Sequence, residues 1–254
     1  YIIIDGGSTD NTVEIIKKYE QHLAYWVSES DKGMYAAIQK GFDKSTGEIM
    51  AWINSDDMYH RKAFFTVAKT FHDLPKVAWI QGTPTGYDEE GLIRHVRKLR
   101  RWSKYNFYRQ EFSEWVQQES TFWRKELWEK AGGRINTNLK YAGDFELWLR
   151  FMEYDKLYSL TTILGGFRLR SDSQLSKDHY QEYVNEAIDA VKKLRLDTDT
   201  LKTMKKIQYQ YKKLALMKTL RLDILSVKEK LIKLHDFPPK IIMSKGKFCL
   251  SENN

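Results

Sequence analysis

The most constraining feature of the chain is a set of short apolar runs that each stop on an acidic or glycine-rich loop. Ile2-Ile3-Ile4 runs into Asp5-Gly6-Gly7, and Ile49 to Ile53 runs into Asn54-Ser55-Asp56-Asp57. Runs of this length, rich in β-branched residues and bounded by turn formers, read as buried strands. Between them lie segments of helical periodicity. Asn11-Thr12-Val13-Glu14 has the pattern of a helix start, with Val13, Ile16 and Tyr19 following on one face. A second strand is expected over 23–27, closed by the polar loop from Glu29 to Gly33. Met34, Ala37, Ile38 and Phe42 then mark a second helix that ends before Gly47. The resulting β-α-β-α-β order predicts an α/β fold with a mostly parallel sheet flanked by helices.

Asp5, Asp31 and Asp57 thereby fall at or just beyond the C-terminal ends of predicted strands. Ligands of open α/β sheets bind outside those ends. A single aspartate there is more often a turn or helix cap. The adjacent pair Asp56-Asp57, directly after a five-residue apolar strand, is better suited to a hard cation, which takes oxygen ligands and bridges to phosphate.

Charge divides the chain. Of 42 Lys+Arg and 34 Asp+Glu, residues 201–254 hold 13 and 4, so the tail carries +9 and residues 1–200 carry −1. The net +8 therefore describes a neutral body with a basic tail, and no nucleic-acid partner is expected. The single cysteine, Cys249, excludes a disulfide scaffold and a Cys-rich zinc site. The six histidines show no metal-ligand spacing.

These motifs resemble, in order and spacing, those of the family 2 glycosyltransferases, which have the GT-A (Rossmann-like) fold. The likeness is carried by residues 1–10 (YIIIDGGSTD), 30–41 (SDKGMYAAIQKG), 46–57 (TGEIMAWINSDD), 118–124 (QESTFWR), 131–133 (AGG), 143–150 (GDFELWLR) and 166–168 (GFR). It covers residues 1–176 and looks nearest to members that assemble bacterial O-antigen or exopolysaccharide. The remainder, 177–254, is expected to be a basic, mainly helical extension.

The resemblance implies inverting transfer of a sugar from a nucleotide sugar, with UDP-sugars expected, to a hydroxyl of a glycan or lipid-linked acceptor. Asp57, with Asp56, matches the motif that holds Mg²⁺ or Mn²⁺ on the diphosphate. Asp5 and Asp31 match positions that contact base and ribose. Asp144 matches the catalytic base, at the start of an amphipathic segment whose Phe145, Leu147, Trp148 and Phe151 pack inward. Arg168 is a candidate for the diphosphate, with a structural salt bridge as its alternative. Gln118 matches a position near the acceptor, where the family often has a His-Gln pair; Gln117 stands in place of the histidine. Relatives begin with a further strand and helix. The chain is therefore expected to lack its first strand, to expose a strand edge in mid-sheet and to bind nucleotide more weakly for it.

Trp123, Trp128 and Trp148 are expected in the core rather than against sugar rings, and Arg94, Arg97, Lys98, Arg100 and Arg101 on a solvated face. In the tail, Met204, Ile207, Tyr211, Leu214, Met217, Leu220, Ile224, Val227, Leu231 and Leu234 recur at helical spacing, with Lys202, Lys205, Lys206, Lys212 and Lys213 opposite. Two readings stay open. The stripe packs on the body or on a second copy of the chain, or residues 201–235 lie on an anionic membrane surface. An enzyme of this kind is expected in the cytoplasm, at the inner face of the membrane if the tail reaches it. The alternative class is a non-catalytic nucleotide- or RNA-binding module, or an inactive relative without its first strand.

Overall fold

The computed structural model describes residues 1–110, 115–171 and 178–252; the expected boundary at 176/177 lies outside them. The chain opens with β1 (Ile2–Asp5), α1 (Thr12–Lys18), β2 (Tyr25–Ser28) and α2 (Met34–Asp43). Then come β3 (Ile49–Met50), β4 (Met58–Tyr59), α3 (Ala63–Asp73), β5 (Trp79–Gln81), β6 (Thr85–Tyr87), β7 (Ile93–Val96) and α4 (Lys104–Tyr108). A 3-10 turn at Gln118–Ser120 leads into β8 (Thr121–Arg124), followed by α5 (Lys125–Lys130), α6 (Gly143–Tyr154), β9 (Tyr158–Ser159) and β10 (Gly165–Arg168). The extension comprises α7 (Tyr180–Lys192), α8 (Thr198–Thr219), α9 (Leu225–His235) and the hairpin β11 (Lys240–Ser244) and β12 (Lys247–Ser251).

The α/β class holds, and within it the strand pairing is mixed rather than mostly parallel. β1–β2, β5–β9 and β6–β10 run parallel, whereas β3–β8, β5–β8, β4–β10, β6–β7 and β11–β12 run antiparallel. The strand orders are β1-β2, β3-β8-β5-β9 and β4-β10-β6-β7, with the hairpin apart. Within the body the antiparallel pairs are made by β3 to β8 and β10, strands of only two to four residues. Among the described residues β1 pairs with β2 alone, Ile2 standing opposite Tyr25. Its other edge faces a cleft of about 1170 Å³ whose far wall includes Ile49, Ala51 and Ile53.

The main core is aromatic. Trp79 and Trp123 are fully buried, Trp148 is 2% exposed, and Trp128 is buried beside them. Trp148 stacks on Trp52 and Trp79, and Phe42 meets Trp52 and Trp123 edge-on. The three tryptophans are thus core residues, as their spacing predicted. The α6 face of Phe145, Leu147, Trp148 and Phe151 is buried as expected. The helix start at residue 11 also holds, although the cap differs: Asn11 makes no side-chain cap, and the Asp10 carboxylate accepts the Thr12 N–H.

Most of the tail's apolar stripe turns inward, while Leu220 is exposed. Ile207, Val227 and Leu231 form a small core with Tyr211, Leu214, Met217 and Leu234. The pattern is broken between α8 and α9, where Arg221 takes a left-handed backbone conformation. The hairpin after Pro238-Pro239 has no counterpart in the sequence reading. Its Ile241 and Phe248 join Val67, Phe71, Phe122 and Leu164 in a second core, so the extension is built into the body.

Candidate active site

Carboxyl groups gather at the cleft: Asp56, Glu119 and Asp144 line it, and Asp57 lies buried beside Glu119. Asp57 follows the β3 segment and is buried. Its Oδ1 accepts the backbone N–H of Arg168 at 2.9 Å, and its Oδ2 accepts the Asn54 side-chain amide at 3.3 Å. Asp56, beside it, lines the cleft and lies 3.7 Å from Arg170 Nη2. Glu119, in the 3-10 turn before β8, is buried and hydrogen-bonds Asp57, while its Oε2 has no partner among the described residues. Asp144, on the first turn of α6, lines the same cleft.

β10 reaches Asp57 because Gly165 and Gly166 carry no side chains. A Cβ on Gly165 would stand 2.3 Å from the Glu119 carbonyl oxygen, and one on Gly166 2.4 Å from that of Thr85. The glycines let β10 slide between these backbones, which sets the Arg168 N–H against Asp57.

Burial governs the electrostatics. Desolvation pushes Asp57 up to about 6; the Arg168 N–H opposes the rise and the Asp56 charge adds to it. Desolvation, and then the Asp57 charge, hold Glu119 well above the usual carboxyl range. Asp144 is also raised to about 6 by burial, partly offset by hydrogen bonds from Phe145 N–H and Tyr183. Glu119 therefore keeps its proton and donates it to Asp57, the arrangement that relieves two like charges in one dry place.

The other predicted residues fall in two groups. Gln118 lines the cleft and donates Nε2 to the Trp52 carbonyl at 2.5 Å, leaving its Oε1 without a partner among the described residues. Gln117 does something different: its amide bonds both the N–H and C=O of Thr85, so it is a structural clamp on β6. Asp5 and Asp31 lie together at the β1 and β2 ends, outside the cleft lining. Asp5 accepts from Gly7 N, Ser8 N, Ser8 Oγ and Ser28 Oγ, and these bonds, Ser28 first, hold it down at about 2. Asp31 accepts the Gly33 N–H at 2.7 Å and packs so close to Gly6 that a Cβ there would stand 2.9 Å from its Oδ2.

Sequence reasoning missed Glu119, Tyr35, Tyr183 and Arg170. Only Glu119 had a local signal, a lone acid just ahead of an apolar strand.

The donor set fits a hard divalent cation held jointly with a ligand's phosphates. The orphaned Glu119 Oε2 and the buried Asp57 carboxylate that receives the Glu119 proton mark a place where positive charge is welcome. No cluster of three His, Cys, Asp or Glu ligands occurs among the described residues. Mg²⁺ is commonly held by one or two carboxylates plus substrate phosphates.

The family model described as "Glycosyl transferase family 2" matches residues 1–127, half of the chain. The chain belongs to glycosyltransferase family 2. Among curated relatives of this family member, an uncharacterized glycosyltransferase of Mycobacterium tuberculosis is 37% identical over 59 residues, 23% of this chain and 22% of that protein. One of Rickettsia typhi is 23% identical over 163 residues, 62% of this chain and 50% of that one. The poly-beta-1,6-N-acetyl-D-glucosamine synthase of Staphylococcus epidermidis is 24% identical over 100 residues, 39% of this chain and 24% of the synthase. The matches thus span from about a fifth to half of those relatives' lengths. The fold matches that of S. aureus TarS residues 1–349 in complex with UDP-GlcNAc, with a TM-score of 0.61, 13% identity, and coverage of 99% of this chain and 87% of that one. This is the GT-A type of architecture expected from the motifs.

The raised carboxyls make a stability prediction. Folded Asp144 keeps its proton to about pH 6, whereas an ordinary aspartate releases it near 3.8. The folded state binds more protons between these values, so stability falls as pH rises through that window and then levels off. Asp144→Asn is expected to be more stable than the parent above pH 6, by up to about 3 kcal/mol, with the gain vanishing toward pH 4. Urea unfolding at pH 4, 6 and 7.5 checks this; a variant less stable at pH 7.5 contradicts it.

Proposed function

We propose that the chain transfers a sugar from a nucleotide-sugar donor, of the UDP-sugar class, to a hydroxyl of a glycan or lipid-linked acceptor in cell-surface polysaccharide assembly. The observation that carries this reading is that Asp56, Glu119 and Asp144 line one cleft large enough for such a donor, with Asp57 buried against Glu119. Family membership supports transferase chemistry, and the TarS complex with UDP-GlcNAc supports a donor of that class.

Asp57 and Asp56 would hold Mg²⁺ or Mn²⁺, which as a Lewis acid stabilises the charge developing on a departing nucleoside diphosphate. Arg170, beside Asp56, and Arg168, whose backbone fixes Asp57, bring positive charge to the diphosphate side. Asp31 and the loop organised by Asp5 lie beyond the cleft lining, at the β1 and β2 ends. They would meet the base and ribose, whose N–H and hydroxyl groups are hydrogen-bond donors, only where the nucleotide sugar extends past the cleft. Gln118 presents its open carbonyl oxygen to a sugar or acceptor hydroxyl.

Asp144 takes the proton of the attacking hydroxyl. Its carboxyl, at about 6, is largely ionised at neutral pH yet basic enough to accept that proton. One displacement with such a base inverts the anomeric centre, because the hydroxyl enters opposite the leaving diphosphate.

A panel of nucleotide sugars, UDP-GlcNAc first, is expected to include at least one that raises the melting temperature. UDP release from that donor is expected to require Mn²⁺ or Mg²⁺ and to fall at least 100-fold in Asp57→Ala. Undiminished release in that variant, or release unaffected by EDTA, contradicts the metal assignment. Binding without any turnover favours a non-catalytic module.

The acceptor places the enzyme at a membrane surface, which the extension serves. With its apolar stripe packed inward, α8 turns Lys202, Lys205, Lys206, Lys212 and Lys213 outward. Leu216, Leu220, Leu222 and Leu225 are each more than half exposed at the α8–α9 corner, flanked by Lys218 and Arg221. An apolar tip ringed by cations suits anionic lipid. No helix among the described residues is long and apolar enough to cross a membrane. Sedimentation with phosphatidylglycerol vesicles is expected, with at least tenfold weaker binding when the four leucines become serine. Equal binding to neutral vesicles, or none at low salt, contradicts it.

A further inference from the structure

Helix α7, outside the stretch that carries the family motifs, reaches back to Asp144 at two points. The loop before α6 presents three consecutive backbone N–H groups to Glu186. Lys140 N donates to Oε1 at 2.9 Å, and Tyr141 N and Ala142 N donate to Oε2 at 2.9 and 2.8 Å. Bonds from N–H groups to a carboxylate are among the stronger ones available. Three of them converging on one side chain fix the path of the loop just before the helix that bears Asp144. Tyr183 stands three residues earlier, on the same face of α7. Its hydroxyl donates to Asp144 Oδ2 at 3.4 Å. The Tyr183 ring is set edge-on against Trp115 at 4.7 Å, and Trp115 meets Phe145 of α6 in the same way.

The opposite side of the loop is held from α2. Tyr35 gives its proton to the Tyr141 carbonyl at 2.6 Å and accepts the Asp144 N–H at 3.4 Å. Its ring lies over Gly143, where a Cβ would stand 2.7 Å from the ring. Since the Tyr35 proton goes to Tyr141, the hydroxyl that donates to the Asp144 carboxylate is that of Tyr183.

We infer that α7 positions the base: Glu186 fixes the backbone that leads to Asp144, and Tyr183 fixes the orientation of its carboxylate. This rests on the assignment of Asp144 as base. Neither residue need touch substrate; both act through Asp144, so they are positioning residues. Their value is geometric, because displacing a reacting group by about 1 Å can cost about 100-fold in rate.

Two measurements on the full chain test this. In Glu186→Gln, amide hydrogen exchange at Lys140, Tyr141 and Ala142 is expected to accelerate at least tenfold, with β1–β2 exchange unchanged. This readout needs no substrate. In Tyr183→Phe, kcat for UDP release from UDP-GlcNAc is expected to fall about tenfold, with KM and melting temperature close to the parent's. Placed in Asp144→Asn, the same change is expected to cost nothing further. Parental exchange at 140–142 in Glu186→Gln overturns the clamp. An unchanged kcat in Tyr183→Phe, or an equal loss in the Asp144→Asn background, overturns the positioning of the carboxylate. A fully active Asp144→Asn overturns the base assignment itself, and with it the catalytic meaning of α7, even where exchange at 140–142 still responds.

Discussion

Asp57, Glu119 and Asp144 bring three carboxyl groups to one partly dry place, and the cost of ionising them together is the constraint around which the site is built. Water would separate such groups at little cost; burial removes that option and raises the free energy of each ionised form. The protein offsets this with specific donors. Asp57 receives the Arg168 N–H and the Asn54 amide, Asp144 receives Phe145 and Tyr183, and Glu119 keeps its proton. A site strained in this way lowers stability in exchange for reactivity, a common feature of enzymes.

Such an arrangement needs a rigid frame. Trp79, Trp123 and Trp148 are buried to 2% exposure or less behind the site, locked by ring contacts with Phe42, Trp52 and Phe151. α6 turns its apolar face into that cluster and its first turn, with Asp144, toward the cleft. The Gly165-Gly166 pair brings β10 close enough to bind Asp57 through the backbone. The extension closes the structure twice: α7 holds the loop before Asp144, and the terminal hairpin completes the second core.

Much of this was legible in the sequence, for identifiable reasons. Asp56 and Asp57 stood out at the end of an apolar segment, whereas Asp144 was singled out by the family resemblance, its helix-start position alone fitting a plain cap. Trp123, Trp128 and Trp148 read as core because they fall in strands and helices with apolar neighbours. Glu119 was overlooked because a lone acid in a short turn looks like a solvated residue; only the pairing of β8 with β3 and β5 buries it. Tyr35, Tyr183 and Glu186 act across 39 or more residues of chain, and local pattern does not encode such contacts. The mixed strand pairing was missed because two-residue strands carry no alternation to read. The proline pair at 238–239 marked the end of the helices correctly, but it masked the hairpin that follows.

The central claim is that Asp144 removes the acceptor proton while the neighbouring acids serve the donor. It is tested most directly by measuring, in one preparation of Asp144→Asn, both nucleotide-sugar affinity by calorimetry and turnover. The account predicts affinity within about threefold of the parent and turnover lower by 100-fold or more, the range expected for loss of a general base. Parental turnover in that variant, or a loss of binding that fully accounts for the lost turnover, would contradict it.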